Sequence, residues 1–235
     1  MKRRTEAARA RSARAGAKDA RRQALRLIHE RLTDAYGSPS PNSRKPPLDE
    51  VVFTILSQNT TDSNRDRAWA GLWDRFDNWG SVARAPASRI ASAIQSGGLQ
   101  QVKARRIKEL LRQVKQERGS YDLDNLRALE MPEVRRRLSR YKGLGAKSIN
   151  CVLLFSLGRP AFPVDTHVHR VLRRIGVLET ADLSRANREI QEEAPARLAY
   201  PLHMNVIRHG REVCTARRPR CDSCVLEDLC GYSDK

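Results

Sequence analysis

The chain has 235 residues, and 45 Lys and Arg against 27 Asp and Glu give it a formal charge of +18 and a pI near 10.5. This length allows one or two domains with a sizeable core, and 40% apolar residues exclude a wholly disordered chain. No run approaches the roughly 18 apolar residues of a membrane helix, no signal-peptide core opens the chain, and aromatics at 5% argue against a basic membrane-surface binder; a soluble intracellular (cytoplasmic or nucleoid) protein with a nucleic-acid partner is expected.

Residues 1–22 hold nine cations and two anions, so +7 of the charge sits there. With no Leu, Ile, Val or Phe before Leu25, this segment is predicted to be a flexible basic tail, either scanning DNA by counterion release or simply solvated. Helical periodicity follows almost without interruption. Its apolar stripes run through Leu25, Ile28 and Leu32; Val51, Val52, Ile55 and Leu56; Trp69, Leu72, Trp73 and Phe76; Ile90 and Ile94; Ile107, Leu110, Leu111 and Val114; Val152, Leu153 and Leu157; and Val168, Val171, Leu172 and Ile175. Breakers separate them: four prolines within 38–47, Gly97-Gly98, Gly143-Leu144-Gly145 and Gly158-Arg159-Pro160. No strand-like alternation competes, so the expected fold class is all-α.

Four of the five cysteines lie in the last 22 residues, as Cys214, Cys221, Cys224 and Cys230 in the spacing C-x6-C-x2-C-x5-C. In a reduced compartment that pattern points to metal ligation. A single C-x2-C flanked by cysteines at unequal distances suits a cubane iron–sulfur cluster better than paired zinc knuckles, although spacing leaves zinc open. Cys151, alone among Ile149, Val152, Leu153 and Leu154, reads as a small buried hydrophobe.

Segment 138–149, LSRYKGLGAKSI, reads as a helix end, a G-x-G hairpin and a new helix. Glycines allow the backbone a sharp turn and a close approach, and a helix N-terminus offers N–H groups to a phosphate; a plain interhelical turn would look the same. Lys147 falls in the first turn of the second helix, where the macrodipole disfavours the ammonium form, and only nine of the 45 cations are lysine. An uncharged lysine there is a Schiff-base nucleophile, while a solvated or phosphate-binding lysine is the bland alternative. Asp165, within 161–170 (AFPVDTHVHR), precedes an apolar-periodic helix as an N-cap, and a carboxylate so fixed can also stabilise a cation or take a proton. The five histidines show no ligand spacing with the cysteines and read as structural or DNA-facing.

Taken together and in order, Gly143-Leu144-Gly145-Ala146-Lys147-Ser148, Val164-Asp165-Thr166-His167 and the terminal cysteine pattern resemble the endonuclease III family of DNA glycosylases, over about residues 25–232. The resemblance implies two α-helical domains flanking a DNA-binding cleft. One is a six-helix barrel of residues 40–159 containing the helix-hairpin-helix (about 133–157); the other is an iron–sulfur domain of residues 23–39 with 160–235. It implies a [4Fe–4S] cluster on the four cysteines, Lys147 as nucleophile and Asp165 as the carboxylate that activates it. It also implies a monomer acting on double-stranded DNA with damaged pyrimidines or abasic sites, which flips the base, releases it and cuts the strand by β-elimination. Segment 56–62, with Gln58 and Asn59, matches the stretch that fills the emptied gap; Leu99, Gln100 and Gln101 match the wedge in the opposite strand. Lys142, Gly143, Leu144, Gly145 and His167 complete the expected DNA contacts.

Four departures from the family pattern stand out: Asn59 where glutamine is usual, Lys142 where proline is usual, extra length around 122–137, and the basic tail. Two rival functions are weighed: a monofunctional mismatch or adenine glycosylase, which shares the cluster but lacks the lysine and carries an additional C-terminal domain, and a non-catalytic helix-hairpin-helix DNA-binding module. The presence of Lys147 and a chain end soon after Cys230 count against the first.

Overall fold

The computed structural model describes residues 2–232, with side chains from residue 15 onward. The described residues form helices and turns with no strand, and the chain divides into two units, Met1–Asn42 with Pro160–Lys235, and Ser43–Arg159. No helix among the described residues is long and apolar enough to cross a membrane.

In the first unit, α1 (Lys2–Tyr36) turns the Leu25, Ile28 and Leu32 stripe, each side chain 0% exposed, into a core with α9 (Thr166–Arg174), α10 (Leu183–Glu189) and α11 (Ala199–Glu212). Phe162, Val168, Leu172, Leu202 and Val206 complete this core. Each such fully buried side chain stabilises the fold by roughly 1.5–3 kcal/mol. α1 ends at Gly37, whose φ of 82° and N–H bond to Thr33 O (2.8 Å) form a left-handed stop that glycine adopts without a Cβ penalty.

Within the segment expected as a flexible basic tail, residues 1–22, the backbone is helical from Lys2 and continuous with the rest of α1. Alanine and arginine are strong helix formers, and the stripe beginning at Leu25 supplies a nucleus from which the helix extends backward. Lys18 pairs with Glu192, Arg21 with Glu193 at 3.4 Å, and Arg22 donates to the Glu192 carbonyl at 3.0 Å. Three cations counted toward the solvated arm therefore meet partners on the protein.

The extended segment leading to Asp165 has no neighbouring strand, and two side chains take its backbone bonds instead. Asn187 accepts from Val164 N (2.8 Å) and donates to Val164 O (2.7 Å); Gln191, one helical turn on, does the same at Phe162 (2.9 and 2.8 Å). Buried backbone amides require such partners, so this pair fixes where the chain enters α9.

The second unit contains α2 (Pro47–Ser57), α3 (Asp62–Trp73), α4 (Trp79–Arg84), α5 (Ala87–Ala93), α6 (Gln100–Arg118), α7 (Met131–Leu138) and α8 (Ala146–Cys151). Val51, Ile55, Leu72, Ile90, Ile107, Leu111, Val134 and Val152 are buried here, so the predicted stripes face inward. Trp69, Trp73 and Trp79 meet edge to face or tilted, and Trp79 Nε1 donates to Asp49 Oδ1 at 2.8 Å. The extra length is ordered: Leu123 and Leu126 are buried beside a short 3-10 turn, Asp124–Ala128. After α8 the helix widens into a π turn, Val152–Ser156, a feature the periodicity does not announce.

Candidate active site

Between α7 and α8 the hairpin is pinned by two buried side chains, Tyr141 and Leu144. Gly143 has φ 93°, the left-handed region that favours glycine, and a Cβ there would stand 3.3 Å from the Arg106 side chain, which would have to shift slightly. Gly145 occupies the N-cap of α8 in ordinary extended geometry. Leu144 is 7% exposed and its N–H donates to Tyr141 O (3.2 Å), which makes its side chain the hairpin's apolar anchor. Lys142, Gly143 and Gly145 are exposed around it.

Lys147 is the second residue of α8 and half-buried. α8 packs on α2, where Glu50 is 6% exposed and its Oε1 accepts a long bond from Thr54 Oγ1 (3.5 Å). Burial pushes the Glu50 carboxyl up to about 7, against the opposing pull of Lys45, the Thr54 bond, Lys147 and Arg65. Nothing in the sequence pattern singles out this acid beside the candidate nucleophile. Because the folded value lies above the unfolded one near 4.5, Glu50's contribution to stability is complete below about pH 4.5 and is lost as pH rises toward 7. Glu50→Gln is thus expected to gain up to about 3 kcal/mol relative to wild type in urea unfolding at pH 8, and little at pH 4.

Asp165 lies in the other unit as the N-cap of α9, its Oδ1 accepting from Val168 N at 2.8 Å. Capping holds the carboxylate in one rotamer and leaves Oδ2 for other partners. His167 follows in the first turn, where Arg170 Nη2 donates to its Nδ1 at 3.1 Å.

The remaining expected contact residues sit on two loops of the second unit. Gln58 is half-buried and accepts from Arg106 Nη1 (2.8 Å), while Asn59 is exposed. Asn59 has φ 51°, a left-handed conformation that asparagine tolerates better than most residues, which gives a backbone reason for asparagine at this place. Leu99 also has φ 49° and is 53% exposed, a bulky apolar side chain held out on strained backbone; Gln100 and Gln101 continue from it into α6. Leu99 and Val102 are the exposed large hydrophobics among the described residues.

In the first unit Cys214, Cys221, Cys224 and Cys230 ring one cavity of about 340 Å3, counting its open mouth, together with Arg174 and Tyr232. None is in a disulfide. Burial pushes the Cys224 thiol up, and charge on Cys214, Cys230 and Cys221 acts in the same direction, so the four sulfurs share one electrostatic environment. The four thiols line the same cavity, and four cysteine sulfurs are the donor set that holds an iron–sulfur cluster.

Two neighbours missed by sequence reasoning complete this site. Arg174 Nη1 donates to Cys214 Sγ (3.2 Å), and its guanidinium lies over the Tyr232 ring at 4.1 Å. His209, pushed down to about 4 by burial, is a neutral imidazole between Tyr36 Oη (3.0 Å from Nδ1) and Cys224 Sγ (3.4 Å from Nε2). One donates to a cysteine sulfur and the other lies within hydrogen-bonding distance of a second, as outer groups at such clusters do.

Comparison with known proteins agrees with this geometry. The family model of HhH-GPD superfamily base excision DNA repair proteins matches residues 52–196, and that of the iron–sulfur binding domain of endonuclease III matches residues 214–230. A putative DNA glycosylase of Arabidopsis thaliana is 40% identical over 169 residues, which span 72% of this chain and 57% of that protein. Endonuclease III of Escherichia coli is 30% identical over 189 residues, 80% of this chain and 85% of the enzyme. Two solved structures of endonuclease III with DNA, a non-covalent complex and a trapped covalent intermediate, each superpose with a TM-score of 0.74 at 25% identity, covering 89% of this chain and 95% of theirs.

Proposed function

The chain belongs to the endonuclease III family of the HhH-GPD superfamily of base excision DNA repair proteins, and from that premise we propose that it removes oxidised pyrimidines such as thymine glycol and then cuts the strand as an AP lyase. It is a DNA glycosylase that binds DNA and carries a [4Fe–4S] cluster. The observation that carries the finer reading is Lys147, half-buried in the first turn of α8 and directly after the glycine hairpin.

In this reading the hairpin's exposed backbone and Lys142 hold phosphates, while segment 56–62 and Leu99 occupy the space opened by the flipped base and its partner. Asp165 takes a proton from the Lys147 ammonium, and the freed amine attacks C1′. The glycosidic C–N bond breaks, and the base leaves with the bonding pair and acquires a proton. The proton the base acquires is the one Asp165 took from Lys147, so Asp165 is again a carboxylate and stabilises the positive charge on the sugar. The sugar ring then opens as the C1′–O4′ bond breaks, O4′ takes up the proton that the attacking nitrogen gives up, and the nitrogen lone pair forms the C1′=N imine. The imine loses a 2′ proton, the 3′ phosphate departs by β-elimination, and water hydrolyses the imine to return the amine. Cys214, Cys221, Cys224 and Cys230 hold the cluster, whose bonds close the 214–230 loop. The trapped covalent intermediate of the structural relative supports the imine route. The protein acts as a monomer on damaged duplex DNA.

A strand-cleavage assay on a thymine-glycol duplex tests this. The expected product, without alkali, has a 3′ unsaturated aldehyde and a 5′ phosphate. Base release that needs hot alkali for cleavage would make the enzyme monofunctional and refute the lyase.

A further inference from the structure

The two described non-glycine residues with left-handed backbone, Asn59 and Leu99, lie on different loops, and one buried lysine holds both loops. Lys103, in the first turn of α6, is 1% exposed, and its Nζ donates to Leu56 O and to Gly97 O, each at 2.7 Å. Leu56 stands three residues before Asn59, and Gly97 two before Leu99. Both carbonyls belong to helix ends, where the last carbonyls have no partner within the helix. A Met or Leu would fill the same space but satisfy neither. Burial first, and then the charge on Arg106, lower the Lys103 amine from its usual range, while its two carbonyl acceptors hold it in place.

One turn further along α6, Arg106 extends the connection. It donates to Gln58 Oε1 (2.8 Å), Gln58 Nε2 donates to Gly143 O (3.4 Å), and the Arg106 side chain fills the space beside Gly143 where a Cβ would stand. Gly97 in turn lies against α3, where a Cβ would come within 3.1 Å of Ala68 Cβ. The first two turns of α6 thus touch segment 56–62, the Gly97–Leu99 turn and the hairpin.

We propose that Lys103, together with Arg106, is a positioning residue that locks these three segments into one DNA-probing body, so that gap filling, wedge insertion and phosphate gripping occur as one coupled step. The inference rests on the DNA-contact roles proposed above. Uncoupled loops would each meet the duplex separately, and each would bear its own ordering cost on binding. A single body bears that cost during folding, and strain at Asn59 and Leu99 is held by the surrounding bonds.

The test uses the full cluster-containing chain and two duplexes, one undamaged and one carrying a tetrahydrofuran abasic-site analogue with 2-aminopurine opposite it. Lys103→Met is expected to lower the preference for the tetrahydrofuran duplex at least tenfold and to abolish the 2-aminopurine fluorescence rise. Affinity for undamaged duplex and its salt dependence should persist, because the hairpin and the surface cations remain. Lys103→Arg, which can still reach both carbonyls, should recover part of the preference. A merely structural role would weaken both duplexes alike and leave the preference intact. If Lys103→Met does not fold, Arg106→Met at its half-buried position carries the same test with the same expected loss. Wild-type preference and fluorescence retained in the variant overturn the inference alone; a wild-type protein with no preference for the analogue overturns the functional reading, and the inference with it.

Discussion

Lys147→Ala is expected to abolish the borohydride-trapped adduct with a thymine-glycol duplex and to lower strand cleavage by at least about 10³-fold, some 4 kcal/mol of barrier at 1.36 kcal/mol per tenfold. Binding to a tetrahydrofuran duplex should persist, since the hairpin, its Tyr141 and Leu144 anchors and the cations around it are untouched. Lys147→Arg separates the nucleophile from a phosphate-binding lysine. Arginine keeps the charge and the hydrogen bonds, but its guanidinium stays protonated and cannot attack carbon. A nucleophilic lysine requires Lys147→Arg to be as inactive as Lys147→Ala; a phosphate-binding one requires it to be nearly wild type. Single-turnover rates for the pair, alongside their tetrahydrofuran affinities, decide between the two.

Cys224→Ser should cost as much in stability as a large core truncation. Four sulfurs converge on one cavity, and the loop they close contributes Leu226, 1% exposed, to the core that α1, α9 and α11 build. Without the cluster this loop keeps a bidentate Arg31–Asp228 pair (3.0 and 2.8 Å) that is about half exposed and worth little. Metal-site free energy in such loops is folding free energy. The expected result is loss of broad absorbance near ~400 nm together with a fall in Tm of about 10 °C or more, equivalent to roughly 4 kcal/mol for a chain of this size. Anaerobic iron chelation of the wild type should reproduce both changes. A variant that loses the colour but keeps the wild-type Tm would show that the loop folds without its cluster.

The parts of this protein that are local in sequence were legible before any coordinates. Stripes such as Ile107, Leu110, Leu111 and Val114 became buried helix faces because a 3.6-residue period leaves no other way to cover them. The Asp165 cap was read from one aspartate ahead of such a stripe, and the hairpin from its two glycines, although only Gly143 adopts the left-handed conformation that demands one. The helix over 2–24 carries no apolar stripe to announce it, yet an Ala- and Arg-rich stretch joined to a buried helix has every local reason to continue it. What could not be read are bonds between residues far apart in the chain: Asn187 and Gln191 standing in for a strand beside 162–164, Lys103 reaching back 47 positions to Leu56, and His209 placed between Tyr36 and Cys224. No periodicity encodes a side chain's distant acceptor. Leu99 illustrates the same limit, since nothing in GLQQ announces that its leucine takes a left-handed backbone and stands exposed.

The most direct test of the account is to reduce the wild-type protein with borohydride during turnover on a thymine-glycol duplex, digest it, and locate the sugar adduct by peptide mass spectrometry. The account predicts a reduced deoxyribose remnant on the peptide containing Lys147 and on no other amine. An adduct on Lys142, on Lys45 or on the N-terminal amine, or turnover with no adduct, would contradict it.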